Sequence, residues 1–254
     1  MTEIRKMQLA IVDMMRDLDI LLRQNNIVYT LLGGSVLGAV RHKGFIPWDD
    51  DMDIGIMRKD FERAEKLLSE FSPYVYEHAE KHMIPGAPIG HLHLVNKIYA
   101  IENSPTIDVF ALDKVPESKK ARKRLRFIAN IHHLCLLRRP PQNRGRLNRF
   151  IFTIFLKITH EKILDMIQRS SLKKITSNNE KEFLCIGNIF GFWAEKEYFP
   201  KDIYESRESL EFEGLSLPCP KDYDKYLTQL YGNYMQLPPV EQRVPKHREL
   251  WNEK

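Results

Sequence analysis

Residues 31–57 read LLGGSVLGAVRHKGFIPWDDDMDIGIM, and the fold follows from how this stretch divides. VYTLL (28–32) has the make-up of a short buried strand, and the glycine pair after it lets the backbone turn where a side chain would clash. SVLGAVRHK then reads as a short helix, GFIPW as a loop that Pro47 stops, and DMDIGI as a second strand. Side chains alternate faces along a strand, so Asp49, Asp51 and Asp53 share one face if the extended conformation begins early enough, with Asp50 opposite. At a rise of about 3.3 Å per residue the Cβ atoms of Asp51 and Asp53 lie on the order of 7 Å apart, which lets both carboxylates converge on one cation.

Outward from this stretch the periodicity changes. Ile4, Met7, Ile11, Met14, Met15, Leu18, Leu21 and Leu22 recur at helical spacing over residues 3–25, and RKDFERAEKLLSEF (58–71) is a second helix. YVYEH, HLHLVNKIYAIE and TIDVFALD are strands separated by Pro and Gly turns. From Glu117 to about Asn179 the pattern is mostly helical, broken near Arg139-Pro140-Pro141 and at Gly145. FEGLSLPCPKDYDKYLTQLYGNY (212–234) reads as a strand, a Pro-marked turn and a helix that Gly232 caps. The mixed order predicts an α/β (α+β) fold in three parts: a core over 1–116, a basic, mainly helical insertion or acceptor region over 117–200, and a segment over 201–254 that packs back on the core.

Clustered carboxylates repel and raise one another's pKa unless a cation neutralises them. Hard oxygen donors suit Mg²⁺ or Mn²⁺, and Mg²⁺ takes a few carboxylates together with substrate phosphate oxygens. Asp108, between Ile107 and Val109, faces opposite to both and supplies a third carboxylate from a neighbouring strand, whereas Asp113 lies beyond the expected strand end. The backbone N–H groups of Gly33-Gly34-Ser35 and the Ser35 hydroxyl are placed to cradle a phosphate at a helix start. Donors and metal on either side of one anion point to phosphoryl or nucleotidyl transfer. The DDDMD string lacks the Gly and closing Glu of an EF-hand at the required offsets.

Hydrophobic residues at 43% and aromatics at 10% of 254 residues support a real core. The net charge of +5 conceals a concentrated region: Lys119, Lys120, Arg122, Lys123, Arg124, Arg126, Arg138, Arg139, Arg144, Arg146 and Arg149 stand with no acidic residue among them, directly before the apolar FIFTIFLKI (150–158). Such a segment is either a solvated helix pair or a face for an anionic bilayer, and no nucleic-acid motif accompanies it. The N-terminus resembles neither a secretory signal nor a membrane span, so the expected location is cytoplasmic, with peripheral attachment at the inner membrane face. Cys135, Cys185 and Cys219 are odd in number and widely spaced, which fits core thiols rather than a disulfide framework.

GGSVLGAVRHKGFIPWDDDMDIGIMRKDFE (33–62) resembles the signature of the LicD family of phosphotransferases, which includes cholinephosphotransferases and is related to fukutin and fukutin-related protein; FEGLSLPCPKDYDKYLTQLYGNYMQLPP (212–239) resembles its C-terminal motif. The resemblance implies a nucleotidyltransferase-like mixed sheet flanked by helices, moving a phospho-alcohol from a CDP-activated donor, typically CDP-choline, to a sugar hydroxyl of a lipopolysaccharide, teichoic acid or other surface polysaccharide precursor. It makes Asp51 and Asp53 the metal-binding pair and Asp108 the third carboxylate, a base for the acceptor hydroxyl. Gly33, Gly34 and Ser35 hold donor phosphate, and Arg41, His42 and Lys43 supply cations near the leaving group, with His42 either catalytic or a support of the next loop. Asp49 is a further ligand or, like Asp50, a support of the ligands. Trp48 is either a wall for a quaternary ammonium or a loop anchor, and Lys97 is a phosphate contact or an exposed strand lysine. The acceptor is expected to be lipid-linked and no nucleic acid is expected. CTP or another nucleoside triphosphate, CDP-glycerol or CDP-ribitol as donor, and a non-catalytic glycan- or nucleic-acid-binding module, are the alternatives.

Overall fold

The structure, a computed structural model, describes residues 1–79, 81, 84, 86–95, 104–139, 145–177, 183–187 and 194–245. Helix α1 (Glu3–Gln24) is capped by the Thr2 hydroxyl, which accepts the Arg5 N–H, and buries Met7, Ile11, Met14, Met15, Leu18 and Leu22, the stripe its spacing predicts. β1 (Tyr29–Leu31), α2 (Gly33–His42), β2 (Met52–Met57), α3 (Arg58–Ser69), β3 (Val75–His78), β4 (Ile89–His93) and β5 (Thr106–Pro116) follow. The strands lie in the order β1-β2-β5-β4-β3; β2 and β5 run parallel and the other pairs antiparallel. The α/β mixed sheet flanked by helices is therefore the architecture. Its core joins Ile54, Ile56, Ile107, Val109 and Ala111 of the central strands to α1 and to Phe61, Ala64 and Leu68 of α3.

Three helices, α4 (Lys119–Leu137), α5 (Arg146–Ile158) and α6 (Glu161–Thr176), form the additional helical region. After it, β6 (Phe183–Ile186) returns to pair with the far end of β5, and β7 (Phe199–Pro200) pairs with β6. Val115, Leu125, Ala129, Ile175, Ile186 and Ala194 make a second, smaller core where α4 and α6 meet this extension. Among the described residues no helix is long and apolar enough to cross a membrane.

Local details depart from the expected elements for physical reasons. The helix after β1 begins at Gly33 itself, so the glycine pair is its first turn rather than a turn before it. β5 runs on to Pro116, which brings Asp113 inside the strand at 1% side-chain exposure, where Arg58 grips it with two bonds of 2.6 and 2.8 Å. After α7 (Asp202–Glu205), the segment read as a single strand is the second arm of a hairpin, β8 (Arg207–Phe212) and β9 (Leu215–Pro220). Its two turn residues, Glu213 and Gly214, both have positive φ, 50° and 78°, as a tight hairpin of this twist requires. The short fragment between Phe212 and Pro218 carries too little alternation to reveal it. Helix α8 (Tyr223–Tyr231) closes the fold and buries Tyr226, Leu227 and Leu230. Cys135 and Cys219 are buried free thiols, and burial pushes the Cys219 thiol up to about 12.

His132 of α4 is fully buried, its Nδ1 3.0 Å from the Gln168 carbonyl and 3.1 Å from the Ser171 hydroxyl of α6. Burial, opposed by the Gln168 carbonyl and aided by His133, lowers its pKa to about 4. The unfolded chain therefore binds the extra proton first as pH falls, so this contribution to stability is complete above about pH 6.5 and lost towards pH 4. Unfolding free energy is expected to fall by about 2 kcal/mol between pH 7.5 and pH 5 through this residue. In urea titrations His132→Gln should flatten that slope; an unchanged slope would place the acid sensitivity elsewhere.

Candidate active site

The sheet register builds the site. Asp53 of β2 stands opposite Asp108 of β5 in the parallel pair, and His91 of β4 stands opposite Asp108 in the antiparallel pair. Directly paired residues project from the same face, so Asp53, Asp108 and His91 form a row across three adjacent strands. Asp51, just before β2, completes the cluster: one carboxylate oxygen each from Asp51, Asp53 and Asp108 lies within 4.8 Å of the others, all partly exposed. Asp49, Asp50 and Asp51 satisfy the same spacing, but Asp50 is buried, 2% exposed. His91 Nδ1 lies 2.5 Å from Asp108 Oδ1 and fixes the carboxylate's orientation. Burial alone would lower the His91 pKa; the hydrogen bond and charge of Asp108, with Glu77 and Asp51, outweigh it and raise it.

Helix α2 points its first turn at these carboxylates. A Cβ on Gly33 would lie 3.1 Å from Asp53 Oδ2, and one on Gly34 3.0 Å from Asp49 Oδ2. Gly33 also has φ +48°, so both the close approach and the backbone favour glycine there. Ser35, buried, accepts the Asp53 N–H at 2.9 Å and locks the helix start to β2. The Gly33 N–H is not free for a ligand: it donates to the Tyr226 hydroxyl at 2.9 Å. Tyr231, also on α8, brings its hydroxyl 3.6 Å from the same Gly33 Cβ position. Burial of that hydroxyl, then the charges of Asp53, Asp49, Glu197 and Asp51, push its pKa well above the phenol range, so it is a proton donor at neutral pH. The residue as a whole is 44% exposed.

The cations expected from the same stretch are held along the C-terminal side of α2. Arg41 donates to the Tyr234 carbonyl at 2.8 Å and to His42 Nε2 at 2.9 Å. His42 is thus an acceptor, and burial followed by the Arg41 charge lowers its pKa. Lys43, in the left-handed conformation that ends α2, pairs with Glu211 at 3.5 Å. Trp48 packs at the edge of the core with Arg243 over its ring, 5.8 Å from the centroid. Lys97 lies outside the described residues. His91, Tyr226 and Tyr231 are the site residues that sequence inspection misses. His91 has a signal, the alternation of HLH on a strand two away from Asp53; the tyrosines have none beyond the i, i+5 placement on a helix whose partner is distant in sequence.

Residues 26–128 match the family model described as LicD/FKTN/FKRP, nucleotidyltransferase domain. The chain is 28% identical over 263 aligned residues to Lipopolysaccharide cholinephosphotransferase LicD of Haemophilus influenzae, with 96% of each chain covered. It is also 38% identical over 109 residues to Uncharacterized protein RT0683 of Rickettsia typhi, covering 43% of this chain and 30% of that one. A 39-residue stretch is 54% identical to Ribitol 5-phosphate transferase FKRP of Homo sapiens, 15% of this chain and 8% of that protein.

Proposed function

We propose that this LicD-type phosphotransferase moves phosphocholine, or a related phospho-alcohol, from a CDP-activated donor to a sugar hydroxyl of a lipopolysaccharide, teichoic acid or other surface polysaccharide precursor. The observation that carries the proposal is the convergence of Asp51, Asp53 and Asp108 to within 4.8 Å beside the start of α2. All three offer the hard oxygen donors that Mg²⁺ or Mn²⁺ takes, and turning the side chains inward would bring them onto one ion. Held there, the ion would neutralise the donor's phosphate oxygens and the charge developing on the CMP leaving group.

The chain's own groups supply the rest. The first turn of α2 presents its positive end to the phosphate, chiefly through Gly34, because the Gly33 N–H is taken by Tyr226. Tyr231 holds a protonated hydroxyl at the same spot and is suited to donate to a phosphate oxygen. Asp108, oriented by His91, is the carboxylate placed to take the proton of the acceptor hydroxyl.

A screen of CDP-choline, CDP-ethanolamine, CDP-glycerol, CDP-ribitol and CTP, each with and without Mg²⁺, tests the donor class. A donor at a hundred times its Kd stabilises the folded state by about 2.7 kcal/mol, which raises the thermal midpoint by roughly 5–10 °C. The expected result is a Mg²⁺-dependent shift with CDP-choline and slow release of CMP. A shift with CTP and release of pyrophosphate would replace phospho-alcohol transfer by nucleotidyl transfer. The similarity to a ribitol 5-phosphate transferase makes CDP-ribitol the second donor to watch.

A further inference from the structure

Helix α5 is built the wrong way round for a helix that belongs to a protein core. Its apolar residues Leu147, Phe150, Ile151, Ile154 and Ile158 are 72, 63, 50, 42 and 77% exposed. At 100° per residue these five fall within an arc of about 100°, a single continuous stripe. None of the helix's described side chains is buried. A soluble monomer seldom leaves so large a contiguous apolar face in water.

The charges around the stripe name its partner. Arg146 and Lys157 border it on one side and Arg149 lies further round the helix, all three exposed. No Asp or Glu occurs between Ser118 and His160. On α4 the exposed Lys120, Lys123, Arg124 and Phe127, spaced i, i+3, i+4 and i+7, repeat the same combination of cations with an apolar tip. Two copies of this chain docked through α5 would bring these cations together, whereas an anionic bilayer complements them. The helix has 13 residues and is therefore about 20 Å long, too short to span a hydrocarbon core of about 30 Å. Lying flat, it can sink its stripe into the boundary of the acyl chains while its cations stay among the headgroups.

We infer that α5 is an in-plane membrane anchor that docks this protein on an anionic phospholipid surface, with Phe150, Ile151 and Ile154 at the centre of the inserted face. The inference is independent of which donor the site uses, and its test reads no turnover, so it and the phosphotransferase proposal fail separately.

Flotation of the full chain with phosphatidylcholine vesicles, and with vesicles containing 30% phosphatidylglycerol, is the experiment, at low and high salt. The expected result is binding to the anionic vesicles that weakens with salt, and a tenfold or greater loss of binding in F150S/I154S with an unchanged thermal midpoint. Phe150→Trp should show a blue-shifted emission on adding the anionic vesicles, a sign of insertion that surface charge alone does not produce. Wild-type protein that stays with the unbound fraction at low salt would overturn the anchor. Equal binding by F150S/I154S would also overturn it, assigning attachment to the basic face of α4. So would a self-associating wild type that F150S/I154S renders monomeric, since the stripe would then be an interface between copies.

Discussion

Asp53→Asn will lower turnover at saturating Mg²⁺ by on the order of a thousandfold, the scale on which loss of a group that stabilises transition-state charge is felt. The same variant will not lose stability, because a neutral isostere relieves repulsion among carboxylates that lie within 4.8 Å of one another. Removing a ligand and removing a fold element thus have opposite signatures here. The metal-free thermal midpoint should hold or rise in the variant, while the upward shift expected for the wild type on adding Mg²⁺ should be absent. Turnover within tenfold of the wild type would mean that the ion, if any, is not held by this cluster. Asp51→Asn should behave alike, since the two side chains face the same point.

The largest loss of stability is expected from Arg58→Met. Arg58 lies 13% and Asp113 1% exposed, and besides its two bonds to Asp113 the guanidinium donates to the Gly86 carbonyl at 2.7 Å and stacks 5.1 Å from the Phe61 ring centroid. Removing the cation strands a carboxylate in the sheet, which costs about 3–5 kcal/mol. In urea unfolding the midpoint should drop accordingly, and R58M/D113L should recover most of the loss because an apolar pair leaves no charge behind. A cost under about 1 kcal/mol for Arg58→Met would show that water reaches the carboxylate. The pair joins the start of α3 to the far part of β5, so the loss is expected to act on the whole core and not on one helix.

What could be read in the sequence is what local periodicity encodes. The apolar stripe of α1, the strand–helix–strand order around the glycine pair, and the alternation that turns Asp108 away from Ile107 and Val109 all depend on residues within a few positions of each other. The same holds for the carboxylate pair Asp51 and Asp53, whose spacing is a property of one extended strand. Even the outward stripe of α5 is visible as spacing, although spacing cannot say that the stripe faces water. What only the tertiary structure decided are the pairings between distant segments. The parallel register sets Asp53 beside Asp108, and the antiparallel register sets His91 on the other side of it. Packing of α8 on α2 brings Tyr226 and Tyr231 to Gly33 across nearly two hundred residues, and the extra length of β5 turns Asp113 from a loop residue into the buried partner of Arg58. The physical reason is that a strand's pattern specifies which face is buried but not which strand lies beside it: that choice is made by the summed burial of the whole sheet and its helices, which no short window contains.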